Sequence, residues 1–157
     1  MSDPQVPGHE GDVAAGLQRA EALARSRGLR LTPVRRRVLE ILLGAGRALG
    51  AYDVLDRLAQ DGYSRQPPVA YRALEFLVDN GFAHRIRRLN AFAACAHPHE
   101  DHEAMFLICE RCHALTEAPA AAAHRAIETA ARAAGFAVGG ITVEALGTCS
   151  SCRNAAA

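Results

Sequence analysis

Four cysteines fall in two Cys-x2-Cys pairs, Cys109/Cys112 and Cys149/Cys152. Each pair supplies two sulfurs about one turn apart, and two such knuckles complete the tetrahedron of thiolates that suits a closed structural zinc site. Residues 113–148 between them are enough to fold as a small subdomain, which the metal would staple together. The competing reading is four unrelated buried or disulfide-bonded cysteines. It sits poorly with the paired spacing, and with a chain that shows no sign of export.

The fifth cysteine, Cys95, keeps different company. His84 precedes it, His97, His99 and His102 follow it, and Glu117 lies just beyond the first knuckle. Cysteine, imidazole and carboxylate together make a mixed site of intermediate softness, again suited to zinc. Its ligands come from both halves of the chain, so binding energy would become order between those halves, which is what a sensor requires.

Zinc enzymes are the first rivals. The run HEDH at 99–102 is one residue short of the His-Glu-x-x-His metalloprotease motif. The deaminase pattern fails too: Cys109 follows Ile108 rather than proline, and no His-x-Glu precedes it. There is no Gly-x-Ser-x-Gly and no phosphate-binding loop. A zinc-dependent enzyme and a protein that merely buffers zinc therefore stand as alternatives without a motif behind them.

These ligands need elements to hold them. Val13–Arg27 reads as a helix that Gly28 can end. Thr32-Pro33 starts a second, with a capping hydroxyl and a proline in the first turn; Val34, Val38, Ile41 and Leu42 follow at helical spacing, and Gly44 is expected to end it. A third runs over 51–60 and stops at Asp61-Gly62. Pro67-Pro68 opens a fourth, with Ala70, Leu74, Leu77 and Val78 on one face and Asn80-Gly81 at its close. The period then changes. Phe82–Arg88 and Ala91–Cys95 read as strands around a tight Leu89-Asn90 turn. Beyond a His-rich loop, strands over 105–109, 113–116 and 141–146 flank a helix over about 119–134.

The expected fold class is α+β: an N-terminal winged helix-turn-helix, then a small C-terminal α/β domain around the structural zinc. The boundaries follow: a disordered lead-in at 1–11, the winged helix at 12–95, a hinge at 96–102, the metal domain at 103–152 and a tail at 153–157. Residues 1–11 lack the basic start and apolar core of a signal peptide, and no apolar run is long enough to span a membrane. The expectation is a cytoplasmic protein.

Charge agrees with a nucleic-acid module. The chain has no lysine; residues 1–90 hold 14 arginines against 10 carboxylates, and residues 91–157 hold 4 against 7. The imbalance is modest, and ordinary surface charge would explain it equally well. The fourth helix is the candidate recognition helix, with Tyr71 and Arg72 in its first turns and Ser64 and Arg65 on the approach. Arginine can bond a guanine edge with two donors, and tyrosine can pack on a thymine methyl or bond a phosphate. Arg85, Arg87 and Arg88 in the wing suit the phosphate backbone. Tyr71 as a core residue and Arg72 as a surface ion-pair partner are the plain alternatives.

At this point the chain resembles the ferric uptake regulator family, most closely its zinc uptake branch. The likeness rests on LTPVRRRVLEIL at 31–42, AYDVLDRL at 51–58, PPVAYRALEFLVDNGFAHRI at 67–86, AMFLICERC at 104–112 and GTCSSC at 147–152. It implies a winged-helix DNA-binding domain, a hinge and a C-terminal dimerisation domain. It implies a homodimer on palindromic, A/T-rich double-stranded operators that represses zinc uptake genes when zinc is plentiful. It implies Zn2+ at two sites or more per subunit: a structural ion on the four knuckle cysteines and a regulatory ion on His84, Cys95, His102 and Glu117. Cys95 favours zinc over iron, because the iron-sensing branch uses harder ligands there. Iron, manganese or peroxide sensing on the same scaffold is the alternative. Some relatives carry a further metal site, for which His97, His99 and His124 are the candidates here. One departure is Val69, where the family usually has threonine, so the recognition helix lacks a hydroxyl that could meet phosphate.

Overall fold

The computed structural model describes residues 10–98 and 103–155. They form two compact units, one before and one after the stretch 99–102.

The first unit runs α1 (Glu10–Ser26), α2 (Pro33–Ala45), α3 (Ala51–Gln60), α4 (Pro67–Asp79), β1 (Ala83–Ile86), a 3-10 turn (Arg87–Leu89) and β2 (Ala91–Ala94). α1 begins at Glu10, inside the stretch expected as lead-in; residues 1–9 lie outside the described residues. Thr32 caps α2 as expected, its Oγ1 accepting the Arg35 N–H at 3.4 Å, with Pro33 in the first turn. Gly44, however, does not end that helix. The left-handed residue that terminates it is Gly46, at φ 60°, so Gly44 sits inside the last turn.

α3 buries Ala51, Val54, Leu55 and Leu58. α4 buries Ala70, Ala73, Leu74 and Leu77, while Val78, expected on that face, is half-buried. The end of α4 is a Schellman turn: Phe82 N–H donates to Leu77 O at 2.8 Å and Gly81 N–H to Val78 O at 3.1 Å, with Gly81 at φ 76°.

The hairpin is shorter than expected. Arg87 and Arg88 leave β1 for the 3-10 turn, and Asn90 alone takes a left-handed φ of 47°. A two-residue type I′ turn would need Leu89 there as well, which a leucine resists. β1 and β2 pair antiparallel with His84 opposite Ala93. Leu49 adds a third line to this wing through paired 2.8 Å backbone hydrogen bonds with Phe92. Val38, Leu49, Val54, Leu58, Leu74, Leu77, Phe82 and Ile86 are fully buried and join helices to wing. Outside them, Arg36 bonds Glu21 at 2.6 Å and Arg37 bonds Asp61 at 2.7 Å, tying α2 to α1 and to the end of α3. These carboxylates raise both guanidinium pKa values.

The second unit holds β3 (Ala104–Cys109), β4 (Leu115–Pro119), α5 (Ala121–Ala133), β5 (Val143–Gly147) and α6 (Ser150–Asn154). The sheet order is β4-β3-β5, with β3 antiparallel to β4 and parallel to β5. β4 starts later than expected because His113, at φ 60°, belongs to the turn. The short α6 was not anticipated. α5 has no buried residue, and Leu107, Ile127, Phe136, Val138 and Leu146 stand exposed, the condition of a unit that covers apolar surface with a partner. Among the described residues, no helix is long and apolar enough to cross a membrane.

Candidate metal centres and nucleic-acid surface

Strand pairing explains how two distant knuckles meet. Cys109 closes β3 opposite Gly147 at the end of the parallel β5, so both knuckles leave the same end of the sheet. In the first, His113 N–H donates to Cys109 O at 2.9 Å and Cys109 N–H to Ala114 O at 2.9 Å. In the second, Cys149 is the N-cap of α6, its sulfur accepting the Cys152 N–H at 3.4 Å. Cys149 N–H donates in turn to Cys109 Sγ at 3.4 Å, and Arg111 Nη1 to Cys152 O at 2.9 Å.

The four sulfurs lie within 4.8 Å of one another, and Cys112 Sγ and Cys149 Sγ are 3.7 Å apart. A zinc–sulfur bond of about 2.3 Å gives a tetrahedral edge of about 3.8 Å, so the residues fit the ion. Electrostatics agree. The Cys149 N–H, then that of Cys112, pulls the Cys109 thiol down to about 6. Hydrogen bonds with the Cys112 and Cys149 thiols push Cys152 up to about 12. One sulfur is thus poised as thiolate while another holds its proton, because four crowded thiols cannot all carry charge.

The candidate regulatory residues are placed as follows. His84 is half-buried on β1; Cys95 is buried just past β2, its N–H donating to Phe82 O at 2.9 Å. Because Ala83 pairs with Ala94, the hairpin brings the two together, with ligand atoms within 4.8 Å. Glu117 is half-buried on β4, opposite Phe106. His102 lies outside the described residues, as does His99 of the possible further site. His97 is exposed. His124 opens α5 with Nδ1 3.5 Å from Glu103 Oε1, and its buried Nε2 has no hydrogen-bond partner among the described residues. Glu103 was not singled out from the sequence; no periodic signal pointed to it.

On α4, Tyr71 is 39% exposed and Arg72 exposed, which removes the core reading of Tyr71. Arg65 is exposed on the approach, where Ser64 Oγ accepts the Gln66 N–H at 3.3 Å. Arg85, Arg87 and Arg88 are exposed in the wing, and Arg85 Nη2 reaches Asn90 Oδ1 at 3.4 Å. Tyr52, in the first turn of α3, is 65% exposed and went unnoticed in the sequence. The signal was available: the buried positions 51, 54, 55 and 58 leave 52 facing outward.

The ferric uptake regulator family model matches residues 26–146. The zinc uptake regulation protein of Escherichia coli K12 is 36% identical over 137 residues, covering 87% of this chain and 80% of that protein. A solved zinc uptake regulator complexed with zinc and DNA superposes with a TM-score of 0.87 at 34% identity, over 92% of this chain and 97% of that one. The holo form of XcZur gives 0.81 at 40% identity, over 91% and 99%.

Proposed function

The chain belongs to the ferric uptake regulator family, and on that premise we propose that it is a zinc-responsive transcriptional repressor controlling zinc uptake. It acts as a homodimer on double-stranded operator DNA in the cytoplasm, and it is a regulator, not an enzyme. The carrying observation is its likeness, along nearly the whole chain, to zinc uptake regulators, one of them solved with zinc and DNA.

We assign at least two zinc ions per subunit. Cys109, Cys112, Cys149 and Cys152 would hold the structural ion, a reading supported by the tetrahedral spacing of their sulfurs. His84, Cys95, His102 and Glu117 would hold the sensed ion. The proximity of His84 to Cys95 on one hairpin supports that set, and the soft thiolate supports zinc over iron or manganese. A closed site is a lasting part of the fold, whereas a site whose occupancy follows free zinc can shift the protein toward its DNA-binding form. The exposed apolar residues of the second unit support dimerisation. Residues 12–95 would bind DNA through Tyr71, Arg72, Arg65 and Ser64 on and before α4, with Arg85 and Arg87 from the wing.

Fluorescence anisotropy on DNA enriched by the protein itself, across buffered free zinc, tests the reading. Sequence-specific binding that appears only as zinc rises is expected. Activation by iron or manganese, or zinc-independent binding, overturns the sensor assignment; tight zinc uptake with no DNA affinity would make the protein a zinc buffer.

A further inference from the structure

Two arginines converge on the C-terminal end of α4, away from its candidate reading turn. Arg35, in the first turn of α2, places its guanidinium carbon 3.6 Å from the centroid of the Phe76 ring. Its Nη1 donates to Arg30 O at 2.9 Å, so the α1–α2 connection holds the same group from the other side. Arg27, just past α1, donates from Nη1 to Asn80 O at 3.2 Å. Asn80 Nδ2 donates to Phe76 O at 2.7 Å. The contacts form one chain: Arg27, Asn80, Phe76, Arg35, Arg30. Its chemistry suits its place, since cations favour the carbonyl end of a helix and arginine favours an aromatic face.

The buried face of α4 leaves this chain something to do. Two of its four buried residues are small: Ala70, beside the reading turn, and Ala73, at the midpoint of the helix. Small side chains allow close approach but key orientation weakly. From Asp79 back to Tyr71 the helix rises about 12 Å, so a tilt of about 3° about its C-terminal end moves Tyr71 by about 0.6 Å. Productive polar contacts need placement within about 0.5 Å.

We infer that Arg27 and Arg35 are positioning residues for DNA reading: by gripping Asn80 and Phe76 they set the tilt of α4, and hence where Tyr71 and Arg72 meet the bases. This rests on α4 being the recognition helix. Operator preference then depends on arginines of α1 and α2 that act through α4.

The test uses full-length, zinc-loaded Arg35→Gln, Phe76→Leu, their combination, and Arg35→Lys. Affinity for a wild-type-selected operator and for random DNA is measured at several salt concentrations, with amide exchange over residues 76–80. Arg35→Gln is expected to lower the operator-to-random ratio about tenfold, with random-DNA affinity and its salt slope unchanged. The double variant loses no more than Arg35→Gln alone, exchange at the end of α4 quickens, and Arg35→Lys recovers part of the ratio. Equal losses on both DNAs with a salt slope reduced by about 1 would make Arg35 a phosphate contact and overturn the inference. So would faster exchange with an unchanged ratio, which makes the stack structural only. A wild type with no operator preference instead sinks the regulator reading, and the inference with it.

Discussion

Cys112 Sγ and Cys149 Sγ lie 3.7 Å apart although they are 37 positions apart in sequence. The parallel pairing of β3 with β5 brings them together, because each strand ends where its knuckle begins. The second unit owes them a great deal in return. α5 buries no residue, so this sheet has little core of its own to hold it. Structural zinc contributes about 10–16 kcal/mol in small peptides, comparable with the whole stability of a domain at about 5–15 kcal/mol. Cys112→Ser is therefore expected to lose one zinc per chain and the cooperative melting of the C-terminal half. Metal analysis with calorimetry checks this; a variant that keeps its full zinc complement and its transition would remove Cys112 from the site.

Loading that centre must displace protons. The Cys152 thiol, pushed up to about 12 by its neighbours, is protonated at neutral pH, and a zinc ligand must be thiolate. Protons thus compete with zinc, and affinity falls as pH falls. Titration calorimetry in two buffers of different ionisation enthalpy is expected to report net proton release on zinc binding at pH 7. No buffer dependence would contradict it.

Cys95→Ser probes the other assignment. Cys95 is buried beside His84 in the first unit, whereas all four knuckle cysteines belong to the second, so the variant should keep the structural ion and the dimer. It should lose zinc-dependent operator binding by at least tenfold at free zinc levels that saturate the wild type. Anisotropy and sedimentation separate the two effects. Normal zinc-dependent binding would detach Cys95 from sensing.

Much of this was legible in residue types. The Cys-x2-Cys spacing carried the metal chemistry, and the Thr32-Pro33 and Pro67-Pro68 starts carried the helices that matter for DNA. What escaped depends on tertiary context. Tyr52 is the exception: the helical spacing of the apolar positions 51, 54, 55 and 58 already turns it outward. Glu103 meets His124 only because the sheet sets the start of α5 beside β3; Ala120 N–H donates to Glu103 O at 2.8 Å. Gly44, expected to end α2, gives way to Gly46 because Gly46 is the glycine that takes the left-handed conformation.

These two glycines give a paired stability test. Gly46, at φ 60°, gains a strained side chain on substitution, so Gly46→Ala should cost about 1–2 kcal/mol. Gly44 is helical, and a methyl there would meet Val13 Cγ2 at an ordinary 3.9 Å. Gly44→Ala should thus gain up to about 1 kcal/mol from helix propensity. Opposite shifts in urea midpoint are expected; the reverse order would move the end of α2 back to Gly44.

Arg72 and Arg87 divide the two ways a protein holds DNA. Arg72 stands exposed in the early turns of α4, the part of a recognition helix that reaches base edges. A guanidinium there can bond a guanine with two donors, so Arg72→Ala should cost about 1–3 kcal/mol on the operator and relax preference at one base pair in each half-site. Arg87 lies exposed in the wing turn, and its assigned partner is phosphate, which every sequence presents alike. Arg87→Ala should weaken operator and random DNA equally and reduce the salt slope by about 1 per subunit. Selection of bound sequences by each variant, with affinities across salt, distinguishes them. If Arg72→Ala keeps the wild-type consensus while its salt slope falls, that arginine holds backbone, and base reading belongs to Tyr71 or to the exposed Tyr52 of α3.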